Sequence, residues 1–174
     1  MNIEIVKVGF LETNCYILSI QDHVLVIDPG DDYDKINEVI NNRVIDGVLI
    51  THNHFDHIGA LDMFDSNLVY DFNNLKEGKI TLGKFSFEVI YNPGHKEDSI
   101  SFYFDDKYLF SGDFIFYESI GRTDLKGGNM NDMINSIKNT KRYNDNVIIY
   151  PGHGISTTIS HEREYNEYFN LVKY

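Results

Sequence analysis

Thr51-His52-Asn53-His54-Phe55-Asp56-His57-Ile58-Gly59 sets three histidines and one aspartate within six consecutive positions. The stretch directly follows the apolar run Val48-Leu49-Ile50, which reads as a buried strand. Imidazole and carboxylate are the usual protein ligands of zinc and iron, and a strand end is a rigid mount from which to aim them. In an extended segment residues i and i+2 project to the same side, so His52 and His54 can share one metal ion. Asp56 and His57 follow where the chain should turn into a helix. They diverge from the first pair and can serve a second ion, and Asp56 is also suited to cap that helix.

Working outward, three further candidates lie beside glycine, in Pro93-Gly94-His95, Gly112-Asp113 and Pro151-Gly152-His153-Gly154. Glycine permits tight turns and close backbone approach, which places a side chain at a strand end at little steric cost. Seven ligands overfill one tetrahedral zinc. They fit two ions if each takes three of its own and the carboxylate of Asp113 bridges them. Metals held about 3.5–4 Å apart can share a water and lower its pKa toward neutrality, which makes a hydrolytic centre the expectation. Two Zn2+ per chain are predicted, and the same donors admit iron or manganese. His23 and His161 stand alone, in a turn and at the start of a helix, and read as structural or exposed.

The bulk numbers narrow the partners. A length of 174 residues suits one domain spanning 1–174, and 42% hydrophobic content with 12 Tyr and 12 Phe suits a substantial core. A net charge of −12 repels nucleic-acid backbones and anionic membranes. The partner expected is therefore a small-molecule substrate, with no nucleic acid and no membrane; composition leaves the oligomeric state open. Cys15 is the sole cysteine, and in Cys15-Tyr16-Ile17-Leu18 it reads as a buried thiol. No intramolecular disulfide can form, which fits a reducing compartment. No leader pattern opens the sequence and no apolar run approaches the ~20 residues of a membrane span, so a cytoplasmic protein is expected.

Periodicity supplies the elements. Ile3, Ile5 and Val8, then Cys15–Ile20 and Val24–Ile27, predict three successive strands, followed by a helix over roughly 32–42. Val48–Ile50, Leu68–Tyr70, Lys79–Leu82 and Phe85–Tyr91 read as further strands, and Ile100–Phe104 with Tyr108–Phe110 as a hairpin. A glycine-rich loop from Gly121 to Gly128 precedes a helix from about Asn129 to Tyr143. Val147–Tyr150 reads as the last strand, and Ser160 as the cap of a terminal helix. Strand runs at both ends, each followed by helices, predict an α/β sandwich with internal pseudo-symmetry.

These residues resemble the motifs of the metallo-β-lactamase superfamily, and within it those of small glyoxalase II-like hydrolases. The resemblance runs through Asn14-Cys15-Tyr16, Val26-Ile27-Asp28-Pro29-Gly30, Thr51–Gly59, Asn92-Pro93-Gly94-His95, Phe110-Ser111-Gly112-Asp113, the loop from Ile120 to Leu125, and Tyr150-Pro151-Gly152-His153-Gly154. It implies a four-layer αββα sandwich with metals at one edge of two sheets. By position it assigns His52, His54 and His95 to the first metal, Asp56, His57 and His153 to the second, and Asp113 to both. Asp28 would orient a ligand histidine; a helix-initiating turn is a compatible reading of the same residue. Asn92 and Lys96 flank Pro-Gly-His where relatives commonly carry threonine, and Ala60 stands where glycine is frequent. About 20 residues follow Gly154, where larger glyoxalase II enzymes carry a helical domain that helps bind glutathione.

The implied activity is hydrolysis of an anionic thioester such as a hydroxyacylglutathione. Asp113 and Asp56 are the expected catalytic residues, the first bridging the metals and the second orienting the nucleophile. Lys96, Arg122 and Lys126 are the cations available to an anionic substrate, with Arg122 also able to brace its own loop. Persulfide dioxygenases resemble the same pattern, including a Gly-Arg-Thr-Asp-like loop, and make oxidation at a single iron the alternative. Completeness of both ligand sets favours hydrolysis. It also disfavours a binding module without catalysis, in which ligands would be lost.

Overall fold

Near-continuous apolar runs give each central strand two buried faces, and the chain uses both. The computed structural model describes residues 1–172. Its first sheet runs in the order β1 (Asn2–Val8), β2 (Thr13–Ile20), β3 (His23–Ile27), β4 (Val44–Leu49), β5 (Val69–Tyr70). The first three strands form an antiparallel meander, and β4 and β5 then add in parallel. The second sheet contains β6 (Gly78–Leu82), β7 (Phe85–Tyr91), β8 (Ile100–Phe104), β9 (Tyr108–Gly112), β12 (Ile148–Pro151) and β13 (Thr157–Thr158), in the spatial order β13-β12-β9-β8-β7-β6. A small separate hairpin joins β10 (Ile115–Phe116) to β11 (Ser119–Ile120).

Residue parity sorts the core into three apolar seams between four layers. Tyr16, Leu18, Leu25, Ile27 and Leu49 of the first sheet face Phe85, Phe87, Phe102, Phe104 and Phe110 of the second. The intervening residues Cys15, Ile17, Val24 and Val26 turn outward against Ile36 and Ile40 of helix α1 (Tyr33–Ile40). On the other side, Ile90, Tyr103, Leu109 and Ile149 pack under Met133 and Ile137 of α3 (Met130–Asn139). Ile159 of α4 (Ile159–Tyr165) and Phe169 of α5 (Glu167–Asn170) join that seam. The result is the α/β four-layer αββα sandwich expected from the sequence. Burial on both faces explains why these strands read as near-continuous apolar runs. Among the described residues no helix is long and apolar enough to cross a membrane.

Several local expectations need correction. The terminal helix is two short helices broken at Asn166, and its cap is Thr158, whose hydroxyl accepts from the His161 amide at 3.2 Å; Ser160 lies inside the first turn. Val147–Tyr150 does not end the sheet, because β13 adds antiparallel to β12. α2 (Phe55–Ile58) is one turn long, with His54 rather than Asp56 at its N-cap. The Asp56 carboxylate is engaged by other side chains and is not available to cap.

The topology fixes where the site forms. β3 and β4 are parallel, as are β9 and β12, and β7 runs in the same sense as β9 because two antiparallel steps separate them. The carboxyl ends of these strands therefore emerge along one edge of the sandwich, the usual place for a site in α/β sheets.

Candidate metal centre

Each predicted ligand leaves one of those strand ends. His52, His54, Asp56 and His57 follow β4, with the single turn of α2 aiming the latter two away from the former. His95 follows β7, Asp113 follows β9 and His153 follows β12. All seven are brought together. The ligand atoms of His52, His54 and His95 lie within 4.8 Å of one another, and so do those of Asp56, His57 and His153. A third such group, His52, His57 and Asp113, links the two.

Distances define the geometry. His54 Nδ1 lies 3.0 Å from His52 Nε2 and 2.9 Å from His95 Nε2. Asp56 Oδ2 lies 3.2 Å from His153 Nε2 and 3.6 Å from His57 Nε2. Asp113 stands between the groups: its Oδ2 is 3.6 Å from His95 Nε2, 3.7 Å from His153 Nε2 and 4.0 Å from His52 Nε2. Four ligands about 2.0–2.1 Å from a zinc ion would be separated by ~3.3–3.4 Å along tetrahedral edges, a value the observed spacings bracket.

Hydrogen bonds on the far side of each ring decide which nitrogen faces inward. His57 Nδ1 donates to Asp28 Oδ2 at 2.9 Å, His95 Nδ1 to the Arg122 carbonyl at 2.8 Å, and His153 Nδ1 to the Leu11 carbonyl at 3.1 Å. None of those acceptors has a proton to give, so in the neutral ring each Nε2 carries a lone pair. The Thr51 hydroxyl donates to Asp28 Oδ2 at 2.7 Å and so accepts from His52 Nδ1 at 3.1 Å, which assigns His52 the same tautomer. Four rings thus turn lone pairs toward one another and toward two carboxylates, an arrangement a cation satisfies. Consistently, His57 Nε2 and Asp113 Oδ1, 3.4 Å apart, are buried without hydrogen-bond partners.

The electrostatics point the same way. Burial, reinforced by the neighbouring rings, holds His52 well below the ordinary histidine range, and burial followed by His95 lowers His54. Both favour the neutral form that binds metal. Burial would also depress His57, but the carboxylates of Asp28 and Asp113 outweigh it and push the ring up to about 10. Burial would raise Asp113 and Asp56; the close approach of His57, with charge from His153, instead holds Asp113 below the usual carboxylate range, and His153 together with His57 does the same for Asp56. The cluster's uncompensated charge is thus negative, which a bound cation would offset.

Backbone packing is equally constrained. A Cβ on Gly152 would lie 2.3 Å from Asp113 Oδ1 and 2.7 Å from His57 Cε1, so only glycine lets this strand end close over the cluster. The loop carrying His153 is pinned by Asn14, whose Nδ2 donates to the carbonyls of Pro151 and Gly154 at 3.0 Å each, and by the Tyr16 hydroxyl, which donates to Pro151 at 2.5 Å. Thr13, fully buried at the start of β2, donates to Asp56 Oδ2 at 3.1 Å. Sequence reasoning assigned Thr13 no role. The available signal was a threonine heading an otherwise apolar strand. The Leu11 carbonyl left no side-chain signal at all.

The predicted substrate cations are placed differently from one another. Lys96 Nζ is held by Asp98 Oδ2 at 2.9 Å, and Arg122 makes a two-pronged pair with Asp124 at 2.7 and 2.8 Å. Arg122 thus braces its own loop, which also supplies the carbonyl for His95, while Lys126 is exposed. His23 and His161 lie outside the cluster, bound to Asp46 and Glu118.

Known proteins resemble this chain in sequence and in fold. A family model of the metallo-beta-lactamase superfamily matches residues 8–72 and 63–153. The probable metallo-hydrolase YqgX of Bacillus subtilis is 32% identical over 200 residues, covering 94% of this chain and 95% of its own. Hydroxyacylglutathione hydrolase GloC of Haemophilus influenzae is 31% identical over 210 residues, covering 98% and 99%. Among solved structures, the B3 metallo-β-lactamase BLEG-1 superposes with a TM-score of 0.89 at 30% identity, over 95% of this chain and 98% of that one. TTHA1623 in a di-iron-bound form gives 0.84 at 28% identity, over 94% and 98%. Matched along its length in both sequence and fold, and carrying a His/Asp cluster at the shared edge of its sheets, the chain belongs to the metallo-β-lactamase superfamily.

Proposed function

We propose that this metallo-hydrolase cleaves thioesters, a hydroxyacylglutathione being the first substrate to test, at a centre of two zinc ions. His52, His54 and His95 would hold one ion, Asp56, His57 and His153 the other, and Asp113 would be shared. The observation that carries this assignment is the set of inward-facing lone pairs around Asp113, with the outer nitrogen of His52, His57, His95 and His153 each tied to an acceptor. The similarity to GloC supports the choice of thioester. The same donors suit iron, and TTHA1623 was solved with two iron ions.

When bound, two divalent ions supply Lewis acidity toward a carbonyl oxygen and make water a nucleophile near neutral pH. The chain's own residues prepare the rest. Asp28 holds His57 and Thr51, and through Thr51 it sets His52. Asp56, ionised and accepting from Thr13, offers a carboxylate oxygen to orient the attacking water. Burial of His52, His57 and His95 excludes bulk water from the floor of the site.

The test is turnover of S-D-lactoylglutathione by zinc-loaded protein, with metal content quantified in the same sample. Rapid hydrolysis at about two metals per chain supports the proposal. No turnover by folded, fully loaded protein on this or any other thioester overturns it. Oxygen uptake with glutathione persulfide would assign the site to the oxidative alternative instead.

A further inference from the structure

We infer that the acyl half of the substrate lies in an apolar cleft beside the metal centre, walled by Phe10, Leu11 and Phe55. The enzyme would then prefer uncharged acyl groups several carbons long. This deepens the hydrolytic proposal above and rests on it. Phe10 is 97% exposed and Phe55 74%, with Leu11 beside them at 45%. Burying such side chains would be favourable, so leaving them in water at one place is a net cost unless something covers them. Together with Val8 they line a cleft of about 580 Å³ whose charged lining residues are Asp31 and Asp56.

The cleft borders the candidate centre at one residue, Asp56. Asp56, a proposed ligand, forms part of its wall, and Phe55 is the residue between His54 and Asp56. Phe10 and Leu11 form the tip of the turn joining β1 to β2, closed by the Glu12 amide donating to the Gly9 carbonyl at 3.2 Å. Gly9 and Glu12 both take left-handed backbone angles, φ 66° and 52°, which present the two apolar side chains outward. One end of the turn is tied down by the Gly9 amide donating to Asp32 Oδ2 at 3.1 Å. The other is tied by the Leu11 carbonyl accepting from His153 Nδ1 at 3.1 Å. The wall is therefore held in register with a metal ligand.

Charge excludes other occupants of this cleft. Two carboxylates and no base among its lining residues repel an anionic acyl group, and the net charge of −12 repels an anionic lipid surface. On the His95 side the surface carries the charged pair Arg122–Asp124 and Thr123 among apolar neighbours. A thioester bridging the two sides places its carbonyl carbon at the cluster. Water then adds oxygen to that carbon, the carbon–sulfur bond breaks, one proton passes to the departing thiol, and the carboxylic acid releases the other.

The experiment compares S-acetyl-, S-butyryl- and S-hexanoylglutathione as substrates, with metal content measured in each sample. It also compares binding of the non-hydrolysable S-hexyl- and S-methylglutathione by calorimetry. The specificity constant is expected to rise by up to about fourfold per methylene buried, with S-hexylglutathione binding the tighter analogue. Phe10→Ala and Phe55→Ala should each lower the hexanoyl-to-acetyl ratio about five- to tenfold, while Val44→Ala, exposed on the far edge, leaves the ratio unchanged. Phe10→Ala removes an almost wholly exposed side chain, so loss of folding is not expected, and circular dichroism checks it. Hydrolysis with a flat dependence on chain length overturns this inference and leaves the hydrolase intact. A flat dependence with loss of a dimer in Phe10→Ala overturns it in favour of self-association. No hydrolysis of any thioester by loaded protein overturns the underlying proposal, and this inference with it.

Discussion

The carboxylate of Asp28 accepts from the Thr51 amide at 2.8 Å, the Thr51 hydroxyl at 2.7 Å and His57 Nδ1 at 2.9 Å. One buried side chain thereby orients a histidine in each proposed ligand set, reaching His52 through the Thr51 hydroxyl. Its own backbone sits at φ 53°, a left-handed angle that aspartate tolerates better than most residues. Replacing Asp28 by Asn keeps the shape but removes the charge that stabilises His57, so zinc affinity should fall about 10- to 100-fold. Competition with a chromophoric chelator measures this, and an unchanged affinity would remove Asp28 from the site. His54 is only partly buried, and its Nδ1 faces His52 and His95. His54→Ala should therefore abolish turnover while circular dichroism and the metal-free melting temperature stay near wild type; full activity would sink its assignment as a ligand. At this scale the sequence was most informative about groups that carry their chemistry in the side chain. Asp28 was legible only through a family resemblance, and the carbonyls of Leu11 and Arg122 were not legible at all.

Elements matter here through their ends. β12 closes against β9 with the Gly152 amide donating to the Gly112 carbonyl at 2.9 Å, and β2 holds the same loop through the Asn14 amide donating to the Gly152 carbonyl at 2.7 Å. A methyl group on Gly152 would strike Asp113 Oδ1 at 2.3 Å, so one of those strand ends must move. Gly152→Ala should cost about 1–3 kcal/mol of stability, as overpacking does, and lower zinc affinity at least about tenfold by displacing Asp113. Equilibrium denaturation and metal titration read the two effects separately; wild-type values in both would show that the loop relaxes freely. Long elements were plain in the sequence because their apolar pattern repeats several times. β13 and the β10–β11 hairpin have two residues per strand, too few for a period to register. Asp56 misled as a helix cap because local propensity favours it there, while His153, His57 and Thr13 compete for its oxygens at longer range.

Across the whole molecule, the candidate centre is a seam between the two sheets. His52, His54, Asp56 and His57 come from loops of the first sheet, while His95, Asp113 and His153 come from the second. Ions bound there would tie the halves together at their edge, as the phenylalanines between the sheets do at the centre. These two contributions to stability are separable. Each ion bound at a thousand times its dissociation constant stabilises the fold by ~4 kcal/mol, so two contribute ~8 kcal/mol, and a chain of this size gains about 2–4 °C per kcal/mol. Chelation should therefore lower the melting temperature by on the order of 16–32 °C, reversibly on adding zinc. Phe104, buried and stacked on Phe87, lies in the central seam at the carboxyl end of β8, which runs antiparallel to the ligand-bearing β7 and β9. Phe104→Ala should destabilise by about 3–5 kcal/mol through the cavity it leaves, with and without metal alike, so the step on chelation keeps its size. Calorimetric scans of both proteins, with and without chelator, give the four melting temperatures required. If chelation leaves the wild-type melting temperature where it was, the seven residues do not bind metal tightly, and the loops of the two sheets are joined by protein contacts alone.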